Sequence, residues 1–315
     1  MPTTEPRHPG RASGHARRHP GRGSPARARR TAHSAGHRRV RGCLVIVLCA
    51  LVLFVATAVV ARLVPTLLPA GCTITAAGGG DVGLSPEQAA NAATISAVSV
   101  ERRLPTRAAV IAIATAMQES KLRNLDHGDR DSLGLFQQRP SQGWGTAAQV
   151  QDPHYASERF YDHLVKVSGW QTRPLTQVAQ DVQRSGYPEA YAKHEDEATV
   201  LAEGFTGNRA GAVTCRLDVV SGPGDAAAVA DALRAEFGVR PTVSGHTVRV
   251  GTDTERGALA VAAWSVAQAH ANETESVSVG GRTWSRGRGD EASTWPVDAS
   301  SGSGVRTVVV RVAGS

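Results

Sequence analysis

The chain has 315 residues, 41% of them hydrophobic but only 4% aromatic, with a formal net charge of +7 at pH 7. Its length allows two modest domains plus tails. The charge is concentrated: residues 1–42 hold eleven Arg and one acid, Glu5, which leaves the rest at a net −3 and excludes a basic nucleic-acid-binding face there.

Residues 1–42 are rich in Arg, His, Pro, Gly and Ser and have hardly a large apolar side chain, so they cannot bury a core. They read as a disordered basic tail whose role beside an apolar segment is topological, with adhesion to anionic lipid as a secondary effect. Residues 43–61, CLVIVLCALVLFVATAVVA, are nineteen consecutive uncharged positions, close to the length that crosses a hydrocarbon layer. We read 43–64 as a transmembrane helix. A cleavable signal peptide competes, but the apolar run exceeds a usual signal core and the basic leader is long. The positive-inside rule then places the N-terminus in the cytoplasm and the body outside, as a single-pass protein of the cell membrane. Cys43 and Cys49 fall within the span and read as small hydrophobes.

Residues 65–83 read as a linker, flexible over its glycine-rich end at 78–83. Ser85-Pro86-Glu87-Gln88 is a helix start, with Ser85 as N-cap and Gln88 completing a capping box. That helix is expected to reach about Arg102 and to bury Ala92, Ile95 and Val98. Leu104-Pro105-Thr106 breaks it and starts another.

The second helix carries the chemistry. From Ala108 to Met117 nearly every side chain is aliphatic or small, so it has no polar face for water and belongs inside a domain. It delivers Glu119 into its last turn, where the macrodipole disfavours an acid. Partial burial and the dipole both raise the pKa of such a carboxyl, and a carboxyl protonated near neutral pH is what general acid catalysis requires. The plain alternative is a frayed helix end with Glu119 paired to Lys121 or Arg123.

After it come Asp126, His127, Asp129 and Asp131, then Gly134-Leu135-Phe136-Gln137 and Gln138-Arg139-Pro140-Ser141-Gln142-Gly143-Trp144-Gly145. One Asp could be a second catalytic acid, several could hold calcium, or all could be solvated. The calcium pattern lacks its closing Glu, so no metal is required. Glycines let backbone approach a ligand, amides bond sugar hydroxyls, and an indole offers a flat face to a sugar ring.

Glu119-Ser120 at the end of a buried helix, followed after a loop by Gly134-Leu135-Phe136-Gln137, resembles the lysozyme-like superfamily in its soluble lytic transglycosylase and goose-type lysozyme branch. There the corresponding motifs are Glu-Ser and Gly-Leu-Met-Gln, and secreted actinobacterial proteins of the superfamily are similar over roughly residues 84–205. The resemblance implies a mainly α lysozyme-like catalytic domain over 84–215, with Glu119 as the catalytic acid and Gln137, Ser132, Gly134 and Trp144 along a substrate groove. It also implies a groove tyrosine within a Tyr-Asn-Ala-Gly segment. That segment is missing, and Tyr187 and Tyr191 are the candidates to replace it.

Asp152-Pro153 starts a helix with Ala156, Phe160, Leu164 and Val167 on one stripe; further helices are expected at Leu175 to Ser185 and Glu189 to about Glu203. Cys72 and Cys215 bracket this region, and outside the cytoplasm we expect them to form a disulfide. Beyond it, extended Val213–Val219, helical Asp225–Phe237, a strand at 247–250, helical Glu255–His270 and two alternating valine strands give β, α, β, α, β, β. That order indicates a small α+β accessory domain over 216–315, with helices on one side of an antiparallel sheet. It carries no nucleophile with a base, no phosphate loop and no metal cluster, so a binding or spacing role toward envelope proteins is expected.

The expected function is a membrane-anchored peptidoglycan-cleaving glycosidase, lytic transglycosylase or muramidase, that acts on glycan strands and needs no cofactor. The other reading is a non-catalytic wall-binding or assembly module of a secretion or conjugation apparatus.

Overall fold

The computed structural model describes residues 46–60, 69–184 and 188–314. The basic tail 1–42, the ends of the expected span at 43–45 and 61–64, and Tyr187 lie outside them. The chain divides after Ala58 into two compact units. Residues 46–60 form a helix, α1, with every side chain exposed, and the division falls near its C-terminal end. Among the described residues no helix is long and apolar enough to cross a membrane.

The second unit is mixed α+β, a helical part followed by antiparallel sheets. Its helical part opens with α2 (Pro86–Glu101), capped as the sequence requires: Gln88 N–H donates to the Ser85 hydroxyl, and the Gln88 side chain accepts from the Ser85 N–H. Helix α3 (Thr106–Ser120) is buried almost all round. Short α4 (Ala147–Val150) leads to α5 (Pro153–Leu164), whose first turn is held by Asp152, and then to α6 (Leu175–Gln183). One expectation fails: the helix expected from Glu189 begins at Glu195. Pro188–His194 is a 3₁₀ turn, and α7 (Glu195–Phe205) starts on Glu195, Asp196 and Glu197. Three acids stabilise a helix N-terminus and mark the true start.

Two sheets complete the unit, and the first of them departs from expectation. Residues 71–83, read as linker, form with Leu84 a hairpin of β1 (Gly71–Thr75) and β2 (Asp81–Leu84), turned through Gly79 and Gly80 at φ 85° and 93°. Strand β1 lies between β2 and β3 (Val213–Arg216), with Cys72 directly opposite Cys215 and the two joined in a disulfide. Its inward set, Cys72 and Ile74, is fully buried but only two residues long, too short a period-two signal to stand out beside a glycine run. The extended segment after Val213 therefore belongs with the start of the chain and not with the C-terminal sheet.

The C-terminal sheet has the order β4 (Thr242–Ser244), β5 (Thr247–Gly251), β8 (Thr307–Val312), β6 (Thr274–Val279), β7 (Arg282–Ser285), all antiparallel. Helices α8 (Ala226–Phe237) and α9 (Glu255–Ala267) pack on it. The other side of α9 meets α2, α7 and β3, because its ALAVAA run offers small side chains on every face. One core runs through both parts.

Glu236 lies where α8 meets α2 and α9, accepting from Trp264 Nε1 at 2.5 Å and Thr94 Oγ1 at 3.1 Å. Burial pushes its pKa from 4.5 up to about 7. A carboxyl raised on folding stabilises fully below its unfolded pKa, and that stability is lost as pH rises through the folded pKa. Unfolding free energy should fall between pH 4.5 and 7 by roughly 3 kcal/mol from this group. Glu236→Gln keeps the Trp264 bond on its amide oxygen, turns its amide N–H toward Thr94 Oγ1, and should flatten that slope in denaturant titrations at pH 5 and pH 8; an unchanged slope would refute the assignment.

Candidate active site

Glu119 is held by what ends α3. The helix stops at two successive left-handed residues, Lys121 (φ 55°) and Leu122 (φ 59°), neither a glycine. Such conformations cost about 1 kcal/mol or more each and persist only when neighbours enforce them. Here α2 does so: Gln88 Nε2 donates to Lys121 O at 2.9 Å, Asn91 Nδ2 donates to Leu122 O at 2.8 Å, and the Leu122 side chain is buried. Ser120 Oγ donates to Ala116 O at 3.0 Å and Leu135 O at 2.7 Å, which ties the helix end to the loop beyond. The Glu-Ser pair is thus an acid next to its own anchor.

The carboxyl is half-buried and makes no ion pair with Lys121 or Arg123 among the described residues. Instead the 3₁₀ turn before α7 brings in Tyr191, fully buried, whose hydroxyl donates to Glu119 Oε1 at 2.7 Å. Gln183, which donates to Phe136 O at 2.7 Å, lines the same cavity as the carboxyl. Burial raises the Glu119 pKa, and the Tyr191 bond and the Gln183 amide pull it back in part. Tyr191→Phe removes the first of these, so Glu119 should titrate at higher pH in the variant. Carboxyl-carbon NMR through a pH series measures this directly, and an unmoved midpoint would mean that the hydroxyl only packs.

The loop after α3 is built around Gly134. At φ 75°, a Cβ there would come within 2.1 Å of Val150 O, so this glycine serves close packing and does not itself line the groove. Leu133 and Gln138 exchange backbone hydrogen bonds at 3.0 Å, and Phe136 stacks on Phe160 with centroids 4.7 Å apart. Gln137, at φ 49°, donates through Nε2 to His127 O and Gly134 O, both at 3.3 Å.

Glu119, Ser132, Gln137 and Trp144 line one cavity of about 460 Å³. Tyr191 reaches it through Glu119, and Tyr187 falls outside the described residues. Arg130, Gln183 and Arg184 also line it, and nothing in the sequence marks them: Gln183 and Arg184 come from the end of α6, remote in the chain. A second cavity of about 630 Å³, lined by His163, Lys166 and Asp181, shares Gln142, Trp144, Gln183 and Arg184 with the first, so the two form one trough. Trp144 sits against His163 with ring centroids 4.2 Å apart.

The loop acids separate by role. Asp131 accepts from Arg139 Nε at 2.7 Å, Ser141 N at 2.8 Å and Ser141 Oγ at 3.0 Å; these bonds hold its pKa far below the usual range and make it a loop brace. Asp126 is exposed against His127. Asp129 lines the cavity, but its side chain is 91% exposed and 3.9 Å from Arg130. Among the described residues no group of three or more His, Cys, Asp or Glu could hold a metal ion.

No protein-family model matches the chain, and no curated protein matches it. The chemistry therefore rests on the site itself: one half-buried carboxyl with a raised pKa, aimed into an amide-lined trough with an indole in its wall.

Proposed function

We propose that this chain is an envelope-anchored glycosidase of the lysozyme-like type that cleaves peptidoglycan between N-acetylmuramic acid and N-acetylglucosamine. The observation that carries the reading is Glu119, raised in pKa by burial, in no ion pair among the described residues and hydrogen-bonded by Tyr191 in the trough. Gln137, Gln142, Gln183 and Ser132 supply hydrogen-bonding groups for sugar hydroxyls and N-acetyl groups, and Trp144 a face for a ring. The motifs Glu119-Ser120 and Gly134-Leu135-Phe136-Gln137 support the same family. The disulfide supports an extracytoplasmic body, in keeping with an anchor at 43–64.

In this mechanism the Glu119 carboxyl gives its proton to the glycosidic oxygen, the bond to the muramyl anomeric carbon breaks, and an oxocarbenium-like centre develops. The resulting carboxylate, with Tyr191 still donating to it, then takes a proton from the incoming nucleophile. If that nucleophile is the muramyl 6-hydroxyl, a 1,6-anhydro ring closes; if it is water, a reducing end forms. A hydrolytic route usually fixes its water with a second carboxylate. Asp129, the other acid on this cavity, is too exposed to be held in place, which favours the transglycosylase route.

The test is digestion of purified peptidoglycan by the protein, with products identified by mass spectrometry. Anhydromuropeptides establish the transglycosylase and reducing ends the muramidase. Binding without release, on peptidoglycan from several sources, would replace the proposal with a wall-binding module.

A further inference from the structure

The half of the trough beyond Trp144 differs from the half that holds Glu119 in how its cations are engaged. Asp181, the acid lining it, is already paired with Arg173 at 2.8 Å. Lys166 and Arg184 line it too and make no ion pair among the described residues. Arg184 is shared with the Glu119 half, whose own cations are engaged: Arg139 by Asp131 at 2.7 Å, and Arg130 at 3.9 Å from Asp129. His163 lines this half as well. Its Nδ1 faces Arg159 O at 2.8 Å, a carbonyl that can only accept, so Nδ1 carries a proton and Nε2 is left for a ligand. Two exposed cations with no internal counter-ion, beside an indole–imidazole pair, suit a ligand that is both carboxylated and partly apolar. A bare glycan strand offers few carboxylates. A strand whose muramyl lactyl group carries a peptide offers several, at a fixed distance from the scissile bond.

We propose that the Lys166–Arg184 half of the trough is a binding site for the acidic peptide arm of the substrate, so that the protein selects peptide-bearing strands over stripped ones. This rests on the glycan-cleaving reading for the identity of the ligand, but not for its test. Lys166 touches only the second cavity and is solvent-exposed, so replacing it leaves the Glu119 surroundings and the core in place.

The experiment measures calorimetric binding to the full chain carrying Glu119→Gln, which removes turnover. The probes are the N-acetylglucosaminyl-N-acetylmuramic acid disaccharide, the same disaccharide bearing a tetrapeptide, and that tetrapeptide form with its carboxylates amidated. The acidic peptide form should bind at least about tenfold tighter than the bare disaccharide. That advantage should collapse on amidation, collapse with Lys166→Met, and shrink as salt is raised. Equal affinity with and without peptide, an advantage indifferent to amidation and Lys166→Met, or no binding of any probe would overturn the proposal. Cleavage by the wild-type chain is scored separately. A chain that releases nothing yet prefers the acidic peptide form keeps this site and loses the enzymatic reading.

Discussion

Glu119→Gln should lower the rate of glycan cleavage about 10⁴-fold while leaving the fold and glycan binding in place. The amide is isosteric with the acid, and its oxygen still accepts the Tyr191 hydroxyl that now bonds Oε1 at 2.7 Å. What disappears is the transferable proton. General acid or base catalysis contributes typically about 10²- to 10⁴-fold, and in the proposed mechanism one carboxyl fills both roles. A 10⁴-fold loss corresponds to about 5 kcal/mol of transition-state stabilisation. The pH profile gives a second reading. The active form is protonated, so kcat/KM in the wild type should fall as pH rises through the elevated Glu119 pKa. Quantified muropeptide release across pH measures both effects. A glutamine variant within tenfold of wild type would remove Glu119 from the chemistry.

Loss of the Cys72–Cys215 bond has the largest expected effect on stability. The two residues are opposite one another in the ladder of β1 and β3 and are separated by 143 positions in sequence. Closing a loop of that length restricts the unfolded chain by about 5 kcal/mol in the chain-entropy model, and native disulfides measured by removal cost about 2–5 kcal/mol. Both sulfurs are buried, so paired replacement by alanine also loses some packing. The effect is not confined to the small sheet: β1 packs against α7, the helix that follows the Tyr191 turn. Urea unfolding of wild type with and without reductant, beside the double alanine variant, should show a drop of at least about 2 kcal/mol in both cases. A change below 1 kcal/mol would mean that strand pairing alone holds the sheet.

How much was legible depended on whether the signal was local. The capping box at Ser85 and Gln88, the Asp152 N-cap and the buried run of α3 are written in adjacent residues, and each element forms where those residues put it. Alternating valines gave β6 and β8 for the same reason. Strands β4 and β7 were not legible, because β4 is three exposed residues and β7 has a single buried one, Trp284, which leaves no alternation to read. The start of α7 was misjudged by counting apolar spacing through Tyr191 while the acids at 195–197 marked the boundary.

The site divides along the same line. Sequence alone determined that an apolar helix ends in Glu119-Ser120, that a glycine- and amide-rich loop follows, and that two cysteines bracket the region. Each of these is a property of contiguous chain or of residue type. Only the tertiary structure decided that Tyr191 is the tyrosine on Glu119, that Gln183 and Arg184 complete the trough, that Gly134 is there for Val150, and that Asp131 braces a loop. Those assignments depend on which distant backbone packs against the end of α3. Packing is settled by the whole core at once, which no local stretch encodes.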